Sequence, residues 1–211
     1  MNNSLLKTAN LVIKKTNLKD NKKLPTFFFF TDRKKFNDIF ATIAELPLKS
    51  AVIIREYDLN YKQRLEFAKK VKLIADKKSL PVLIAKDLRL ALKLKASGVH
   101  FTDFDKSWIN YLRYKKNARK NFLFACCCHK LSTLKKADRL RMDIIFYSPV
   151  FKTTSHPNRR NLGVNKLASD SRKCKSNIYA LGGINKHNIK LLKNCNISGI
   201  GGISLFKALG K

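Results

Sequence analysis

The stretch IIFYSPVFKTTSHPN, residues 144–158, decides how the chain is read. Four apolar, β-prone residues in a row describe a strand buried on both faces, because a strand with one wet face would alternate. The run then breaks into Lys152, Thr153, Thr154, Ser155 and His156. A strand made for a core that ends in polar groups is expected to deliver those groups to one end of a sheet.

Similar apolar runs recur along the chain: TFFFFTD (26–32), AVIIREY (51–57), LPVLIAKD (80–87), GVHFTD (98–103), FLFACCC (122–128), IYALGGI (178–184) and GIGGISLF (199–206). Between most of them lies a segment of helical period. In YKQRLEFAKKVKLIADKK (61–78), Leu65, Ala68, Val71, Leu73 and Ile74 are expected to form the buried face. Near-continuous apolar strands alternating with helices predict a parallel sheet covered by helices. Eight units fit a single (β/α)8 TIM barrel, although an open doubly wound sheet shares the alternation. The count of eight, and the lack of a GxGxxG after the first strand, favour the barrel. It is expected over residues 25–211. Residues 1–24 read as a basic N-terminal extension, with SLLKTANLVIKK (4–15) as a helix across the barrel bottom.

Composition narrows the function classes. The chain has 211 residues and a formal net charge of +31, with a pI near 10.2, the footprint of a nucleic-acid binder. The lysines are nonetheless spread over the whole chain and lack the interleaved aromatics of a stacking platform. They are read as solvated helix faces, and a specific nucleic-acid partner is not expected. No run of about 18 apolar residues suits a membrane span, and the polar N-terminal stretch lacks the apolar centre of a signal peptide. A cytoplasmic protein acting on small molecules is expected. The five cysteines are odd in number and contain no CxxC pair, so neither a disulfide framework nor a zinc ribbon is indicated. Neighbouring strand residues point to opposite faces, so CCCH (126–129) cannot place four ligands on one metal.

In barrels the C-terminal ends of the strands carry the active site. Applied to every strand, that rule collects Asp32, Arg55, Glu56, Lys86, Asp87, Asp103, Asp105, His129, the segment 152–156, Gly182, Gly183, Gly201, Gly202 and Ser204. Glycines after the seventh and eighth strands let backbone N–H groups approach an anion, which predicts a phosphate site there.

GVHFTDFD (98–105), SPVFKTTSHP (148–157) followed by Leu162 and Gly163, ALGGI (180–184) and GIGGIS (199–204), with VIIREYDL (52–59), resemble in this order the thiamine-phosphate synthase and TenI family. The resemblance implies a (β/α)8 barrel. It also implies one of two reactions. The synthase joins a pyrimidine-methyl diphosphate to a thiazole phosphate with Mg2+ and releases diphosphate; TenI proteins tautomerise a thiazole phosphate carboxylate. The implied ligands are phosphorylated small molecules. For the thiazole phosphate it points to Thr153, Ser155, Gly182, Gly183, Gly202 and Ser204, with His156 replacing a family Lys.

The diphosphate half departs from the family pattern. Of a Gln-x-Arg-x-Lys motif on strand 2, only Arg55 remains, with Ile53 and Tyr57 at the other two places. An Asn-Asp pair after strand 3 falls on Ala85 and Lys86 by ungapped counting. Asp87 serves as metal ligand if the loop is shifted by one, paired with Asp105, and Lys86 then contacts the diphosphate. His129, after strand 5, matches the His that tautomerases use for proton transfer. Divergent synthase is the leading expectation; a TenI-like tautomerase and a non-catalytic binder of phosphorylated ligands are the alternatives.

Overall fold

The computed structural model describes residues 8–9, 11–13, 24–101, 114–153 and 160–207. Eight parallel strands pair in chain order and close on themselves. They are β1 (Phe27–Phe30), β2 (Ser50–Ile54), β3 (Val82–Ala85), β4 (Gly98–Phe101), β5 (Leu123–Cys128), β6 (Ile144–Tyr147), β7 (Ile178–Leu181) and β8 (Gly199–Gly202). Phe27 pairs with Ser50 on one side and Ile200 on the other, so β1 closes the ring. All eight lie where the apolar runs placed them, and the barrel expectation holds.

The helices α1 (Ile39–Ala44), α2 (Tyr61–Asp76), α3 (Leu88–Lys93), α4 (Leu131–Arg139) and α5 (Val164–Arg172) cover the outside, with 3-10 turns at Ile189–Asn194 and Ser204–Phe206. Local chemistry starts them. Asp38 accepts from the N–H groups of Phe40 and Ala41. Asn60 and Gln63 exchange side-chain to backbone bonds of 2.9 and 3.2 Å at the head of α2, a reciprocal cap that satisfies two otherwise orphaned donors. The expected apolar face of α2 holds at Ala68 and Val71 but not at Leu73, which is 65% exposed. Arg64 and Ala75 are buried instead and share one helical face with Ala68 and Val71, which sets Arg64 against the strand ends.

Strand parity sorts the core into two layers. Phe29, Ile54, Ile84, Cys126, Cys128 and Tyr147 face the helices. Tyr147 donates a 2.8 Å hydrogen bond to Asp170 on α5, and Lys166 pairs with the same carboxylate at 3.0 Å. The inner layer holds large rings from β1, β6 and β7 against Ala51, Ala85 and Ala125 from β2, β3 and β5. Phe28 meets Phe146 and Tyr179 edge-on, each at 5.1 Å, and Phe30 meets Phe146 at 5.0 Å. Tyr179 donates to the Pro25 carbonyl at 2.8 Å and closes the barrel's lower end. Within the expected N-terminal extension, Ala9 and Val12 are buried in the outer layer while Leu11 is exposed. Among the described residues no helix is long and apolar enough to cross a membrane.

The imidazole of His100 is packed against this inner layer. It is 3% exposed and lies against Phe30 at 5.5 Å and Phe146 at 5.7 Å. Neither ring nitrogen has a hydrogen-bond partner among the described residues. Burial first, then the positive charges of Arg55, Lys86 and His129, hold its pKa down to about 3. The ring is therefore neutral.

Two stability measurements follow from this packing. Phe146→Ala removes the ring shared by Phe28, Phe30, His100 and Tyr179, and urea denaturation should show a loss of about 3–5 kcal/mol. The depressed pKa of His100 makes its contribution fully present above the unfolded value of about 6.5 and lost as pH falls toward 3, at about 1.4 kcal/mol per pH unit. Urea denaturation at pH 7.5 and pH 5 should therefore show about 2 kcal/mol more acid destabilisation in the native chain than in His100→Phe. Equal losses in the two proteins would contradict it.

Candidate active site

The C-terminal ends of the strands surround a chamber of about 740 Å3. Phe30, His100 and Cys127 rise into it from the inner layer, and the strand-end loops form its walls.

One wall comes from β2 and β3. Arg55 and Lys86 both line the chamber, as expected, and flank the ring of Tyr57 with the Arg55 Cζ at 5.7 Å and the Lys86 Nζ at 5.2 Å. Arg64 of α2 stands over the same ring at 5.8 Å. Its buried guanidinium donates to the Ile54 carbonyl at 3.3 Å and the Ala85 carbonyl at 2.6 Å, the last residues of the two strands. That tie fixes Arg55 and Lys86 beside each other. Burial draws the Arg64 pKa down, opposed by the charge of Asp87.

Asp87 is not where a metal ligand has to be. Its Oδ1 accepts from the Leu90 N–H at 2.8 Å as the N-cap of α3, and its Oδ2 lies 3.8 Å from Arg64. The backbone turns at Lys86, whose φ is +62°, and that turn aims Lys86 inward and Asp87 toward its own helix. Lys86 and not Asp87 therefore lines the chamber, the placement that ungapped counting gives. The other described rim carboxylates are engaged elsewhere: Asp32 with Lys35 at 3.4 Å, and Glu56, 5% exposed, with the Arg33 N–H at 3.1 Å. Among the described residues no carboxylate lines the chamber and no cluster of three metal-ligating side chains exists. These donors do not fit the expected Mg2+. Asp105, with Asp103, lies outside the described residues.

The second wall comes from β5 and β6. His129 lines the chamber, with Nδ1 2.7 Å from the Ser148 carbonyl oxygen and 3.1 Å from Ser148 Oγ. A carbonyl can only accept, so this contact assigns the proton to Nδ1. Nε2 then faces Cys127 Sγ at 3.9 Å, and that sulfur lies 3.0 Å from Ser148 Oγ.

Opposite β2 and β3 in the ring stands the glycine wall. Gly182 and Gly183 have φ of +95° and +69°. A Cβ on Gly182 would sit 2.8 Å from Pro149, and one on Gly183 would sit 2.4 Å from the Lys152 carbonyl. The Gly182 carbonyl accepts from Phe151 N–H, and the Gly183 carbonyl from Asn188. No described residue accepts from the N–H groups of Gly183 or Ser204. Thr153, Gly202 and Ser204 line the same region. Ser155 and His156 lie outside the described residues.

Three chamber residues escaped the sequence reading, Tyr57 as a ring ringed by cations, Cys127 and Ser148, and so did Arg64 behind the wall. Strand parity alone would have turned Cys127 inward, since Cys126 and Cys128 pack outward. Arg64 gave no signal, because one basic residue among the many on α2 reads as solvated.

Comparison with known proteins agrees with this geometry. The family model described as thiamine monophosphate synthase, TMP-TENI, matches residues 27–206. An Aquifex aeolicus protein provisionally named thiamine-phosphate synthase 2 is 34% identical over 189 residues, covering 87% of this chain and 98% of its own. The thiamine-phosphate synthase of Clostridium tetani is 30% identical over 190 residues, 88% of each chain. Among solved structures, the thiamine phosphate pyrophosphorylase of Pyrococcus furiosus superposes with a TM-score of 0.73 at 20% identity, covering 85% of both chains, a likeness of fold. A match that runs from the first barrel strand to the last, on a chamber built from the same strand ends, makes this chain a member of the thiamine monophosphate synthase family.

Proposed function

We propose that the chain is a thiamine-phosphate synthase, joining a pyrimidine-methyl diphosphate to a thiazole phosphate with loss of diphosphate. The observation that carries this reading is the two-ended chamber. Cations on β2 and β3 face glycine amides after β7 across the ring, so two anionic substrates enter by opposite walls with their rings meeting over Phe30, His100 and Cys127.

The chemistry asks little of acids and bases. The thiazole nitrogen's lone pair forms the new bond to the pyrimidine-methyl carbon, and the C–O bond breaks with its electron pair leaving on diphosphate. As that bond stretches, positive charge grows on carbon and negative charge on the leaving oxygens. Arg55 faces the growing negative charge and lowers the barrier by an interaction stronger in the transition state than before it. The N–H groups of Gly183 and Ser204, with Thr153, hold the thiazole phosphate and so orient the nucleophile.

A second reading, thiazole tautomerisation, is favoured by one feature: the Ser148 carbonyl fixes the tautomer of His129 and leaves Nε2 as the basic atom. The two readings part on mutation. In a coupled assay from both substrates, thiamine phosphate formation should fall about a hundredfold or more in Arg55→Ala and only a few-fold in His129→Gln. No thiamine phosphate from the native chain, together with isomerisation of a thiazole phosphate carboxylate that falls about a hundredfold in His129→Gln and stays near native in Arg55→Ala, would favour the tautomerase.

A further inference from the structure

We infer that the chamber holds diphosphate directly on the side-chain cations Arg55 and Lys86, with no divalent metal between the anion and this wall. This rests on the synthase reading for the identity of the ligand, and on the geometry of β2 and β3 for the rest.

Lys86 is held in position by three independent features. Its backbone sits at φ +62°, a conformation disfavoured for a side chain with a Cβ. Its N–H donates to the His100 carbonyl at 2.8 Å, extending the β3–β4 ladder past the end of β3. Its Nζ rests 5.2 Å from the centre of the Tyr57 ring, the ring that Arg55 also flanks. Neither cation has an ion-pair partner among the described residues. The described carboxylates nearby are each turned to another partner: Glu56 to Arg33, Asp58 to Arg33 at 2.6 Å and Lys34 at 2.9 Å, Asp87 to Leu90 N–H and Arg64.

This arrangement suits a polyanion and repels a divalent cation. An aromatic ring holds two cations close by its negative face while leaving their N–H donors for another acceptor. Diphosphate supplies those acceptors both as part of the substrate and as the product. When the C–O bond breaks, the electron pair settles on oxygens already facing Arg55 and Lys86, so charge neutralisation needs neither a metal nor a proton donor.

The test uses the full chain with two readouts. Titration calorimetry with inorganic diphosphate, in EDTA and in Mg2+, reads the cradle alone; thiamine phosphate formation under the same two conditions reads the reaction. Diphosphate should bind in EDTA, at least about tenfold more weakly in Lys86→Gln, and turnover should differ less than about threefold between EDTA and Mg2+. Lys86→Asp should bind diphosphate only when Mg2+ is added. Loss of native binding or of turnover in EDTA, or unchanged binding in Lys86→Gln, overturns the inference. Product formed only with Mg2+ does so while leaving the synthase reading intact. Diphosphate bound in EDTA with no product under either condition upholds the cradle and removes the synthase.

Discussion

Closure of the barrel is the constraint on which everything else depends. Eight parallel strands in register turn alternate residues inward, and the inner space must then be filled to native density. This chain fills it asymmetrically, with Phe28, Phe30, Phe146 and Tyr179 set against alanines on the facing strands. The rings plug the lower part of the barrel. What remains at the upper end is the chamber, so the same packing that stabilises the fold decides where ligands can go.

The asymmetry reaches into the electrostatics. His100 occupies an inward position under Arg55, Lys86 and His129, and burial together with those charges keeps it neutral. A carboxylate there would have been drawn toward the cations and would have partly cancelled them. A neutral aromatic floor leaves their field directed into the chamber, where solvent screens it less than at the surface. The net charge of +31 is a different matter, since most of the lysines stand on the outer helices and bear on solubility and anion attraction rather than on the site.

The fold was legible because barrel strands carry two redundant signals, an apolar run and a polar break at its C-terminal end. All eight strands, and a set of strand-end residues that contains Arg55, Lys86 and His129, came from those signals. What failed was local direction. Leu73 is apolar but faces solvent, because at 3.6 residues per turn it lies about 200° round the helix from the buried Val71. The choice between Lys86 and Asp87 turned on a single positive φ, which a lysine does not announce. Cys127 was passed over as one of three identical residues, though parity separates it from its neighbours.

The inward Lys86 just past the end of β3 is therefore not a local feature. A chamber with Asp at position 86 would present β2 and β3 with opposite charges and would need a cation to let a diphosphate in. With Lys86 the chamber face of the wall has one sign, and the ring of Tyr57 lies beside both Arg55 and Lys86. Arg64 then explains why the pair does not splay apart: its guanidinium hydrogen-bonds the last carbonyl of each strand, so repulsion between the two cations works against backbone held on both sides. The N-cap role of Asp87 completes the arrangement, since the same carboxylate starts α3 and partners Arg64. Position, charge and helix start on this wall are a single coupled solution, and changing any one of its five residues reaches the others.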